Sequence, residues 1–259
     1  MEIEVVEWIP AFLLVLVRVS AFMLTLPFFS YQTIPQRFKI GFAGFLAWIM
    51  IFNGDWPVIE LNYTFILLVI KEALVGLTVG LIALLLLYAI QVAGGLIDLK
   101  LGFLIANVVD PQTGTQAPLI GTYLYTFALL FLLATNAHHL LLDGVYYSYE
   151  FIPLDQAFLP FGNEDYAEFI GITMNTMFII AFQMSMPIMG SIFLVDVALG
   201  FIARTVPQVN VFVVGFPLKI FLGFIFMLVT MPVFFVLVNN LIETIMVTMR
   251  TLMQLYGGV

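Results

Sequence analysis

Eight ionisable side chains stand inside or beside long apolar runs of this chain: Arg18, Lys71, Glu72, Asp98, Lys100, Asp196, Arg204 and Lys219. A charge at hydrocarbon depth costs at least about 2.5–3.5 kcal/mol, so each should face protein or water rather than lipid. Two chemistries suit them. As buried polar contacts they would hold helices or subunits together, Arg18 serving a buried acid or carbonyl. As isolated carboxylates, Asp98 and Asp196 could couple ion movement in a self-contained secondary transporter or ion channel. Catalysis has no comparable set. His138 and His139 are adjacent, and neighbours on a helix point about 100° apart, which is wrong for one metal and suits a satisfied interfacial pair. There is no H-E-x-x-H, no phosphate-cradling P-loop, no G-x-S-x-G and no cysteine. No catalytic residue, cofactor or metal site is expected, and the chain does not read as an enzyme.

The elements that must position these charges are membrane-grade. Of 259 residues, 63% are hydrophobic and 9% charged, against about a quarter charged in soluble domains. That composition predicts an all-α integral membrane protein. The net charge of −8 argues against nucleic acid as a partner. Met1-Glu-Ile-Glu-Val-Val-Glu7 is acidic where a secretory leader begins basic, so the first apolar run, Ile9 to Phe29, is expected to be retained as a helix. Arg37 and Lys39 place the following turn in the cytoplasm.

Phe38 to Phe52 is short for a span, and Leu61 to Ile70 is stopped by Lys71-Glu72. Those two side chains project about 100° apart, so separate partners are expected for them. Gly76 and Gly80 form a G-x-x-x-G step suited to close helix packing. Ala73 to Ile97 and Leu119 to Leu142 carry no charge. Asp143 to Glu168, rich in acids and lacking calcium-loop spacing, reads as a solvated loop on the non-cytoplasmic side. Phe169 to Val195 holds Asn175, Gln183 and several methionines that suit irregular packing. Pro207-Gln-Val-Asn210 then breaks the chain before Ile220 to Ile242, with Gln208 and Asn210 expected to satisfy backbone there.

Between the two uncharged runs lies a polar stretch: Asn107, Val108, Val109, Asp110, Pro111, Gln112, Thr113, Gly114, Thr115, Gln116, Ala117 and Pro118. Its prolines and glycine break helix. A polar loop between membrane helices must sit at a bilayer surface or beside water inside protein. A weak repeat flanks it. Leu96-Ile-Asp98-Leu-Lys-Leu-Gly102-Phe103 lines up with Leu194-Val-Asp196-Val-Ala-Leu-Gly200-Phe201, and Pro-Gln follows each copy at 111–112 and 207–208.

These pieces occur in one order along almost the whole chain. They are Arg18-Val-Ser with Pro27, Ile34-Pro-Gln-Arg37, Lys71-Glu72 with Gly76 and Gly80, and Gly94-Gly95-Leu-Ile-Asp98 with Gly102. Val109-Asp-Pro111 with Gly114, Asn136-Ala-His138, Ser148-Tyr149 and Pro153 follow. The most specific is Arg204-Thr-Val-Pro-Gln-Val-Asn-Val-Phe212 with Gly215-Phe-Pro-Leu-Lys219. Together they resemble the FliR family, the R-type subunits of type III secretion export gates. Ala137 departs from an Asn-Gly-His step usual there, which bears on local turn geometry. The resemblance implies one export-gate domain over 1–259, with N-terminal helices to 142, the acidic loop at 143–168 and C-terminal helical hairpins over 169–259. It implies bent and broken hairpins packed with FliP, FliQ and FlhB in the bacterial inner membrane at the flagellar basal body. It further implies a conduit for unfolded flagellar proteins, closed by the loop 106–118 as a plug. Arg18, Lys71, Glu72, Asp98, Asp196, Arg204, Gln208, Asn210 and Lys219 are then expected to make assembly contacts.

Overall fold

A computed structural model describes residues 2–30, 34–54, 56–103, 118–157, 164–208 and 210–258. All regular structure among them is helical. The helices are α1 (Glu2–Thr25), α2 (Gln36–Asn53), α3 (Tyr63–Leu101), α4 (Leu119–Ala134), α5 (Ala137–Phe151), α6 (Glu164–Thr205) and α7 (Val211–Gly257). Trp8–Thr25 of α1, and all of α3, α6 and α7, are long and apolar enough to cross a membrane; α4 with α5 could supply a fifth crossing. The chain is an all-α protein of membrane character. The plug candidates Asn107–Ala117 lie outside the described residues.

Three expectations change. Helix α3 runs through Lys71 and Glu72 without interruption for 39 residues, because both side chains are buried in protein and no lipid-facing charge has to be avoided. The uncharged run from Leu119 is broken at Thr135–Asn136. Asn136 takes a left-handed conformation with φ 57°, which asparagine tolerates better than most residues. The Thr135 amide and hydroxyl both donate to the Phe131 carbonyl at 2.9 Å, closing α4. Ala137 follows as the first helical residue of α5, so the strained position is the asparagine and alanine fits where it stands. Third, the supposed acidic loop is largely helical. Asp143 and Glu150 lie on α5, Glu164 to Glu168 open α6, and the described irregular part is 152–157.

The chain forms two compact units that do not follow chain order. One comprises 1–86, 136–174 and 243–259, the other 87–135 and 175–242. The first is cored by Leu14, Phe22, Met23, Leu26 and Leu141, the second by Ile90, Ile97, Ile120 and Leu132. In the first unit α1 lies on α3 at the G-x-x-x-G step. A Cβ on Gly76 would collide with the Arg18 carbonyl and stand 2.9 Å from Ala21 Cβ, while one on Gly80 would meet Thr25 and the Phe22 carbonyl. Gly171 in α6 has nothing within 4 Å of such a Cβ. Gly76→Val is therefore expected to destabilise the chain by about 1–3 kcal/mol through overpacking. Gly171→Ala should gain up to about 1 kcal/mol from helix propensity, and thermal unfolding of the purified chain in detergent distinguishes them.

Burial differs sharply among the long helices. In the most apolar stretch of α3, 56% of residues are buried, against 17% in α6 and in α7. Helix α3 is an internal strut. Helices α6 and α7 present Phe178, Phe182, Phe193, Leu228 and Val229 outward, and at 42 and 47 residues each has about twice the length that a span needs.

Candidate functional site

The first unit is tied by a buried ionic knot that joins α1, α3, α5 and the turn after α5. Arg18, Glu72, Lys71 and Ser148 are each at most 3% exposed. Glu72 lies one helical turn before Gly76, so the close approach of α1 brings Arg18 onto the same face of α3. The guanidinium grips the carboxylate with two donors: Nε to Oε2, and Nη2 to Oε1 at 2.9 Å. Such paired donors suit the planar fork of arginine. Nη1 donates to Ser148 Oγ at 2.9 Å and Nη2 to the Ile152 carbonyl at 2.8 Å. The same guanidinium stacks on Tyr149, 3.9 Å from the ring centroid, a cation–π contact.

Lys71 and Glu72 were expected to find separate partners; instead Lys71 Nζ pairs with Glu72 Oε1. The directions of the two Cβ atoms do diverge, but the four-carbon stem of lysine carries Nζ around the helix to the carboxylate. Lys71 also donates to the Pro153 carbonyl at 2.9 Å and the Leu154 carbonyl at 3.4 Å. Two cations thus share one anion, and their other donors are met by Ser148 Oγ and by backbone oxygens of the non-helical turn after α5. Trp56 completes the site, donating from Nε1 to the Met50 and Ile51 carbonyls at the end of α2 and meeting Tyr149 edge-on at 5.0 Å.

In the second unit, Asp98 is 1% exposed, and both its carboxylate oxygens accept from the Ile120 amide at 3.2 Å. Pro118 is the N-cap of α4 and offers no side-chain cap. Asp98 supplies one from α3, an anion at the positive end of a helix. Around it the backbones touch. A Cβ on Gly94 would collide with the Gly121 backbone, and one on Gly95 would lie 3.3 Å from Pro118. Helix α3 ends at Gly102, whose φ is +86° and whose amide donates to the Asp98 carbonyl at 2.9 Å; the Phe216 ring occupies the place of a Cβ there. The described residues 94–98 of α3 are thus held directly to 118–121 at the start of α4.

The remaining predicted residues lie on α6, α7 and their connection. Asp196 Oδ1 and Lys219 Nζ are 2.6 Å apart in a partly exposed ion pair. Asn210 Oδ1 accepts from the amides of Phe212 at 3.1 Å and Val213 at 3.3 Å, capping α7. Arg204 and Gln208 are exposed and make no ion pair or hydrogen bond among the described residues. The two copies of the internal repeat also diverge: Gly102 ends its helix, whereas Gly200 lies within α6 with nothing near it, and Asp98 caps a helix whereas Asp196 pairs with a lysine. His138 Nδ1 is buried and has no hydrogen-bond partner among the described residues, so they do not supply the contact expected of an interfacial histidine. Among the described residues no group of His, Cys, Asp and Glu could hold a metal.

Sequence reasoning picked out every charge in the knot but missed Tyr149, Trp56 and the carbonyls of 152–154 as its other half. A periodic signal for α5 was present, since Ala137, Leu141, Gly144, Val145 and Ser148 share one buried face.

Comparison with known proteins identifies the family. Residues 9–245 match the family described as bacterial export proteins, family 1. The chain is 55% identical over 98% of its length to the flagellar biosynthetic protein FliR of Bacillus subtilis (strain 168), covering 98% of that protein. It is 29% identical to FliR of Pectobacterium carotovorum subsp. carotovorum, covering 85% of this chain and 84% of that one. With FliR of Escherichia coli (strain K12) the identity is 26%, over 87% and 86% of the two chains. A buried knot on Arg18 and Glu72, a close junction of α3 with α4 at Asp98 and two long outward-facing helices are thus features of a chain that belongs to the bacterial export proteins, family 1, among its flagellar FliR members.

Proposed function

We propose that this chain is a core subunit of a type III protein export gate, forming with FliP and FliQ, and in association with FlhB, the path for unfolded flagellar proteins across the bacterial inner membrane at the basal body. The observation that carries it is the near full-length likeness to a FliR protein at 55% identity. Helices α6 and α7 support it: their apolar faces are uncovered and their length exceeds a bilayer span, as a chain completed by partner subunits requires. Arg204, Gln208 and Lys219, at least partly exposed, are contacts for those partners. Residues 106–118 act as a plug, and Asp98, Gly102 and Pro118 form the stem it springs from. The role is positional, and no chemistry at a catalytic group is required.

Co-expression tests this reading. The full chain should co-purify with FliP and FliQ and run with them as one complex. A chain that is stable alone, ignores both partners and transports ions in liposomes would overturn the proposal.

A further inference from the structure

A groove of about 440 Å³ in the first unit lies between the last two turns of α5 and the end of α7, a size usual for small-molecule clefts. Its floor is Met246, Met249 and Met253, a flexible apolar lining. Two opposite charges border it, Glu150 and Arg250. Both are exposed, and neither has an ion-pair partner among the described residues. The groove lies at the ends of the apolar α7 and of α5, whose last turns carry tyrosines. Gly257 packs so closely on α5 that a Cβ there would be 2.5 Å from the Phe151 carbonyl oxygen. Tyr147 on its wall is 52% exposed, as tyrosines are where hydrocarbon gives way to headgroups.

We infer that this groove binds a phospholipid whose headgroup carries both a phosphate and a primary amine, of the phosphatidylethanolamine type. An acyl chain lies on the methionines, the phosphate meets Arg250, and the ammonium donates to Glu150. The charge pair selects among lipids. A purely anionic headgroup would satisfy Arg250 and leave Glu150 facing like charge, and a quaternary ammonium has no N–H to give Glu150. The site stands independently of whether the chain forms a conduit.

Native mass spectrometry of the full chain tests it, with palmitoyl-oleoyl phosphatidylethanolamine, phosphatidylglycerol and phosphatidylcholine offered at equal concentration. Retention of the ethanolamine lipid should exceed the other two by about ten-fold, the equivalent of one charge-assisted hydrogen bond. Glu150→Gln should bring phosphatidylglycerol level with it, and Arg250→Gln should lower retention of all three. Val247 lines the groove and is 65% exposed, so Val247→Trp should fill it without disturbing the core and remove the bound lipid. Equal retention of the three lipids, or retention unchanged in Val247→Trp, overturns the inference. So does a photocrosslinker at 247 that captures only a partner protein in the assembled gate.

Discussion

Glu72→Ala is expected to prevent the folded chain from accumulating, whereas Lys71→Met should leave most of it intact. The knot holds two cations and one anion, all nearly inaccessible to water. Removing the carboxylate leaves Arg18 and Lys71 buried together without their shared anion, and the exposed Asp155 is then the acid that still acts on Lys71. Breaking a buried pair in this way costs about 3–5 kcal/mol, a large part of the 5–15 kcal/mol or so that holds a typical domain folded. Arg18→Met is milder in charge, since Lys71 and Glu72 remain a neutral pair, but it strips the donors from Ser148 and the Ile152 carbonyl. Lys71→Met forfeits the Lys71–Glu72 ion pair and the hydrogen bonds to the 153 and 154 carbonyls, about 1–3 kcal/mol for the orphaned acceptors, but it keeps the paired grip of Arg18 on Glu72 and so leaves no charge unmatched. The order of loss should be Glu72→Ala, then Arg18→Met, then Lys71→Met. Membrane content and the thermal midpoint of the detergent-purified protein measure it. Equal loss in all three would refute charge balance as the reason the knot is stable.

The need for such a knot was legible in the chain, and its membership was not. A charge within an apolar run announces that it must be buried against something polar, which identified Arg18, Lys71, Glu72 and Asp98. What it meets depends on contacts across 54 residues for Glu72 and 130 for Ser148, and no local pattern encodes these. The misreading of Lys71 and Glu72 came from reasoning on Cβ directions alone, when a long side chain can bend back. Helix α5 was hidden because Asp143, Glu150 and a run of tyrosines dilute its hydropathy, although its buried face keeps helical spacing. The end of α4 turned on one asparagine able to take φ 57° within an uncharged run. In α6 and α7 the apolar composition was plain, but composition does not say whether an apolar face meets its own chain, lipid or a partner.

The second large effect concerns the segment between α3 and α4. Removing residues 108–117 while retaining Pro118 is expected to give a gate that assembles with FliP and FliQ at normal yield yet leaks ions when reconstituted. Assembly should survive because the groups that hold α3 to α4 lie outside the deletion, Asp98 on the Ile120 amide and the Gly94–Gly121 contact, as does Gly102 beneath Phe216 of α7. A comparison with Asp98→Ala separates the plug from its stem. That substitution keeps every residue of the segment but removes the anion from the start of α4, at about 1.5–3 kcal/mol for a hydrogen bond to a charged group. It should loosen the anchor and give a partial leak, smaller than that of the deletion, together with a lower thermal midpoint. Conductance of the purified complex in planar bilayers reads both variants. A deletion that stays tight would remove the plug from the mechanism. A leak in the deletion with none in Asp98→Ala would show that the segment seals without help from its stem. The graded result is the one the geometry favours, because α3 and α4, which flank the segment, are joined by a buried carboxylate and by touching backbones, and a plug can occlude a path only as firmly as its flanks are held.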